Sequence, residues 1–78
     1  MTRNTTGLYI SHGELGWQVE DQPEGFFWAR DLSACVVALD FAFGLVCGTQ
    51  KPIFVWNNRL SKWESVNWRT VPDWCHSL

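Results

Sequence analysis

Hydrophobic and polar positions alternate along the first third of the chain. Leu8 and Ile10 alternate with Tyr9 and Ser11, and Trp17 and Val19 alternate with Gln18 and Glu20. Gly13-Glu14-Leu15-Gly16 separates the two runs, so Gly7 to Asp21 reads as a β-hairpin with a glycine-bracketed turn. Gln22-Pro23-Glu24-Gly25 has Pro second and Gly fourth, as a type I turn requires. Phe26-Phe27-Trp28-Ala29 fits either a short third strand or the lead into a helix.

The period then changes. Leu32, Cys35, Val36, Leu39 and Phe43 follow helical spacing and form one apolar stripe; Ala34, Val37, Ala38, Phe41 and Leu45 form a second. Asp31 or Ser33 serves as N-cap for a helix running to about Phe43 or Val46. A buried strand over Leu39–Val46 competes, since Phe41, Phe43 and Leu45 also alternate, but the alanines and the cap favour helix. Ser33 and Asp40 are the polar residues of this span, so the helix is expected to be buried almost all round.

Pro52 opens a second hairpin. With residues 58–61 as its loop, Trp56 falls opposite Trp63 and Ile53 opposite Val66. Ile53, Val55 and Val66 then share one face and Phe54, Trp56 and Trp63 the other. The segment Arg69 to Leu78 carries Val71, Pro72 and Trp74 and is expected to pack against the body. No repeat or linker interrupts the chain. The expectation is one α+β domain over residues 1–78: a small antiparallel sheet of two hairpins with one central apolar helix, in the order hairpin, helix, hairpin.

Composition narrows the function. Seventy-eight residues form one domain, and 46% apolar with 18% charged residues is globular usage. A net charge of -2 argues against wrapping a nucleic-acid backbone, which needs surplus Lys and Arg. No run of eighteen apolar residues is present to span a membrane, and Met1 to Thr6 lacks a signal-peptide core, so a cytoplasmic location is expected. There Cys35, Cys47 and Cys75 stay reduced, with Cys35 and Cys47 as small buried hydrophobes.

Catalytic patterns fail on inspection. The chain has neither a phosphate-binding Gly-rich loop nor a G-x-S-x-G elbow. Cys35, Cys47, Cys75, His12 and His76 lack metal-ligand spacing, and a Cys–His nucleophile pair would have to assemble in space. A non-enzymatic protein without metal or cofactor is expected. Cys75-His-Ser-Leu78 sets a cysteine where a prenylation box has one, but the middle residues are not aliphatic.

Binding signals are stronger. Residues 1–40 carry six acids against two bases, and residues 41–78 two acids against four bases, a net -4 facing a net +2. Glu14, Glu20, Asp21 and Glu24 succeed one another without a base. They form either a solvated hairpin edge or an acidic patch offered to a partner with a basic surface. Twelve residues are aromatic, six of them Trp. With both helix stripes and both faces of the second hairpin apolar, something must cover one of them. Either the carboxy-terminal segment with Trp74 folds across, or the surplus is an interface. Phe54, Trp56 and Trp63 are the candidates on the sheet, and Val37 and Phe41 the candidates on the helix, for a homodimer seam or a partner. Base stacking on the aromatic face would need more basic neighbours than Arg59, Lys62 and Arg69.

A short, acidic, aromatic-bearing α+β chain without catalytic motif resembles the small phage-encoded inhibitors of host defence, the anti-CRISPR proteins among them. The hairpin–helix–hairpin order, with Ile53-Phe-Val-Trp56 followed by Lys62-Trp63-Glu64, is similar in outline to some of these. The resemblance implies a protein that binds a host protein or ribonucleoprotein in the host cytoplasm, touching no nucleic acid or membrane itself, and blocks its basic groove. The alternative is a small dimeric accessory or regulatory protein, antitoxin-like; a third is a subunit stable only within a larger assembly.

Overall fold

The computed structural model describes residues 6–22, 24–47 and 51–77. The first five residues, Pro23 of the type I turn and Leu78 of the terminal tetrapeptide lie outside them. The chain forms β1 (Gly7–His12), β2 (Trp17–Gln22), β3 (Phe26–Leu32), α1 (Cys35–Leu45), β4 (Ile53–Asn57), β5 (Lys62–Val66) and a 3-10 helix, Asp73–Ser77. The α+β class and the order strands, helix, strands are as expected.

The sheet differs from two separate antiparallel hairpins. Its five strands lie in the order β3-β2-β1-β4-β5, and β1 runs parallel to β4, with Leu8 beside Ile53 and Ile10 beside Val55. Parallel neighbours need a crossover, and β2, β3 and α1 provide it. The hairpins keep their expected registers, with Trp56 opposite Trp63 and Ile53 opposite Val66. Asn57, buried at the end of β4, shapes the second turn: its side-chain oxygen accepts the Arg59 and Leu60 backbone N–H groups at 3.0 and 3.3 Å.

Phe26–Ala29 resolves as strand and extends further, because Leu32 still pairs with Trp17. That pairing places Asp31 in the ladder and moves the helix start to Cys35. Neither Asp31 nor Ser33 therefore caps it. Ala34 occupies the N-cap without a side-chain bond.

The helix is not buried all round. Cys35, Leu39 and Phe43 of one stripe, Ala38 of the other, and Ala42 of neither turn inward into the core shared with Leu8, Ile10, Val19, Ile53, Val55 and Val66. Val37 and Phe41 remain 43% and 37% exposed. α1 lies over the β3-β2-β1 half of the sheet, and the 3-10 helix packs beside it. The carboxy-terminal segment thus folds back as expected: Cys75 is buried, and Val71 and Trp74 pack on the core. Trp68 anchors its start by donating its indole N–H to the Phe43 carbonyl at 3.3 Å. Cys47, expected inside, is exposed because it follows the last helical turn.

Position on the helix sets the cost of truncation. Leu39→Ala should destabilise the domain by about 3–4 kcal/mol in urea titration, since Leu39 is fully enclosed. Val37→Ala should stay within about 0.5 kcal/mol of wild type.

Candidate functional site

Two aromatic surfaces flank the core, one on each side of the sheet. On the side away from α1, Phe54, Trp56 and Trp63 lie together and half-buried, as their alternation requires. Tyr9 joins them, because the parallel pairing sets it beside Phe54. The Tyr9 ring stacks on Phe54 at 4.9 Å and meets the edge of Trp63 at 5.0 Å, while Trp56 and Trp63 pack at 5.3 Å. Tyr9 is fully enclosed. This cluster is therefore partly a second core, in which the rings cover one another.

The four acids of the first hairpin do not form one patch. Glu20 and Asp21 are buried and, as strand neighbours, point to opposite sheet faces. Glu20 lies across from Tyr9 and accepts a bond from the Gln22 side chain at 2.8 Å. Asp21 lies across from Leu8 and accepts from Lys51 Nζ at 2.7 Å and from the Trp28 indole N–H at 3.0 Å. Glu14 and Glu24 are exposed, but they flank the six-residue strand β2 at its two ends, about 20 Å apart. The expected acidic patch is thus corrected to two separate exposed carboxylates and two buried ones. Burial alone would raise the Asp21 pKa, but the Lys51 ammonium and the two hydrogen bonds outweigh it and hold the carboxyl below its ordinary value.

On the α1 side, a second surface appears at the β3 edge. Phe26 and Trp28 are 44% and 46% exposed and pack edge to face at 5.0 Å. Phe26 falls opposite Asp21, and Trp28 reaches the same carboxylate, so both rings sit on the helix side of the sheet. Register shifts between Trp17 and Val19 and between Val19 and Glu20 kink β3 and re-aim its side chains. Phe27 turns to the opposite face, where the Arg30 guanidinium lies 4.6 Å over its ring. On α1, which lies over this half of the sheet, Val37 and Phe41 are the exposed apolar side chains. Val37 and Phe41 were legible from the helix stripes; Phe26 and Trp28 were not, although Trp in an edge strand was a usable signal.

The chain matches no protein family, no curated protein and no solved structure.

The remaining chemistry is sparse. A cleft of about 560 Å³ lies between α1 and the carboxy-terminal segment, lined by Asp40, Phe43, Gly44, Cys47, Trp68, Arg69 and Val71. Arg69 stacks over Trp68 at 4.6 Å with its backbone in the left-handed region, at φ 63°. Among the described residues no three His, Cys, Asp or Glu side chains converge as a metal site, and no helix is long and apolar enough to cross a membrane. His12 packs near Trp17 at 5.3 Å, and the Cys75 thiol meets Cys35.

Two outcomes test this geometry. Trp63→Ala should cost about 2 kcal/mol in denaturant titration, less than a fully buried Trp but more than a surface one, because it uncovers Tyr9. Asp21→Asn should be less stable than wild type at neutral pH. The folded-state pKa of Asp21 is depressed, so its contribution is complete above the unfolded value of about 4 and fades as pH falls through the folded value. The stability gap between the two proteins should therefore narrow below about pH 4.

Proposed function

We propose that this chain is a non-catalytic protein-binding module whose docking site includes the exposed Phe26, Trp28, Val37 and Phe41. The observation that carries the reading is Trp28. Its indole is nearly half exposed, yet it is fixed by a hydrogen bond to a buried carboxylate that Lys51 holds in turn. An exposed ring already locked in one orientation loses little freedom on binding, which is the property of a hot-spot anchor. Phe26, Trp28, Val37 and Phe41 are all exposed large apolar side chains on β3 and α1, the kind of surface that marks contacts.

The narrower reading is an inhibitor of phage type that occupies a basic surface on a host nucleic-acid-targeting complex. Its support is the resemblance in composition and element order. The cluster of Phe54, Trp56 and Trp63 is then a supporting face with its edges open to a large partner. A dimeric, antitoxin-like regulator is the second reading. It is favoured by the exposure of Val37 and Phe41 one helical turn apart, the spacing of a helix–helix seam.

The test compares capture by wild type, Trp28→Ala and Trp63→Ala, each tagged and confirmed folded, followed by affinity measurement with the protein recovered. Trp28→Ala should weaken binding by about 2 kcal/mol or more, roughly thirtyfold, while the domain stays folded with a lower melting temperature, because Asp21 loses one bond and keeps Lys51. A partner that Trp63→Ala loses and Trp28→Ala keeps would move the site to the outer sheet face. Turnover of a small molecule by the pure protein would sink the binding reading altogether. Sedimentation of Phe41→Glu against wild type separates the two readings: a wild-type dimer that becomes monomeric establishes the self-associating form.

A further inference from the structure

Where the carboxy-terminal segment packs on α1, two buried cysteines belong to the same core. Cys35 is the first residue of α1 and Cys75 lies inside the 3-10 helix; each is 1% exposed. The two elements pack together within one core, and the thiols lie within interaction range of each other. Cys47 is exposed and lies two residues beyond the other end of the helix. At 1.5 Å per residue it stands about 18 Å from Cys35, too far to compete for the same sulfur.

We propose that Cys35 and Cys75 form a disulfide cross-link site that fastens the carboxy-terminal segment to α1 under oxidising conditions. Nothing in this depends on the binding reading above. A bridge needs two sulfurs carried close together by their own elements, and here one close-packed core holds both. Burial pushes both thiols above the ordinary cysteine range and keeps them protonated, so the closed protein reacts slowly. Opening of the single turn Asp73–Ser77 frees Cys75, and short elements with little buried surface are the first to open.

The oxidant is a small-molecule disulfide. The Cys75 thiolate attacks one of its sulfurs, forming a mixed disulfide and releasing one thiol. The Cys35 thiolate then attacks the Cys75 sulfur, forming the Cys35–Cys75 bond and releasing the second thiol. Two protein thiols are oxidised to one disulfide, the reagent is reduced to two thiols, and the two protons pass to the departing thiolates.

The experiment uses the full chain with Cys47→Ser, an exposed position whose change spares the fold. The protein is incubated with oxidised glutathione at pH 8, in buffer and in urea below the unfolding midpoint. The expected product has lost two hydrogens, retains no glutathione and yields a Cys35–Cys75 linked peptide. It should form faster in urea and melt higher by roughly 10 °C, because the bridge restrains the unfolded chain. Dithiothreitol should reverse both changes. Either Cys35→Ala or Cys75→Ala, added to Cys47→Ser, should abolish the linked product. A terminal glutathione adduct, free thiols after incubation in urea, or a bridged protein that melts lower than the reduced one would each overturn the proposal.

Discussion

The parallel pairing of β1 with β4 joins the two halves of this protein into one body, and the rest of the architecture depends on it. Leu8 and Ile10 meet Ile53 and Val55 to make the floor on which α1 sits, while Tyr9 meets Phe54 to found the aromatic cluster on the reverse side. The junction begins where Leu8 donates its backbone N–H to the Pro52 carbonyl at 2.9 Å. Gly7 is required there. A Cβ at that position would stand 2.8 Å from the same carbonyl and 2.9 Å from the Phe54 ring, so the strands could not close to pairing distance.

That pairing also marks the limit of what the sequence made legible. Local rules delivered the hairpins: the four-residue loop at 58–61 fixed Trp56 against Trp63, and the glycines at 13 and 16 placed the first turn. They also separated Ile53, Val55 and Val66, which belong to the core on the α1 side, from the three aromatics that do not. Contacts between residues some 45 positions apart leave no such trace, so Tyr9 went unnoticed as the centre of the aromatic face. The helix start shifted for a related reason, since pairing with β2 drew Asp31 into β3. The acids are more instructive. Asp21 has the strand parity of Leu8 and Val19, so the alternation itself placed it inward, and the partner that makes this tolerable is Lys51, thirty residues away.

The same ion pair links the fold to its surface. A carboxylate at the rim of the core accepts one bond from Lys51, beside the strand that closes the sheet, and another from an indole that faces solvent. Core geometry thereby sets the orientation of an exposed ring. The outer aromatic face works differently, because its rings hold one another in place, with Tyr9 at the centre. One surface is aimed by a charge, the other by mutual packing.

The kinks in β3 have a further consequence. An edge strand presents unpaired backbone groups, and one of seven residues bordered by exposed rings is a template for unwanted strand addition. Two register irregularities break the straight run of donors and acceptors, and Arg30 and Asp31 set charges along it. The opposite edge, β5, is five residues long and carries a Lys62–Glu64 pair at 3.6 Å. Neither border of the sheet offers a flat, neutral ladder. The exposed apolar groups at this border are therefore confined to side chains, which select a complementary shape, while the backbone is withheld from any extended chain that would pair with it and grow into fibrils.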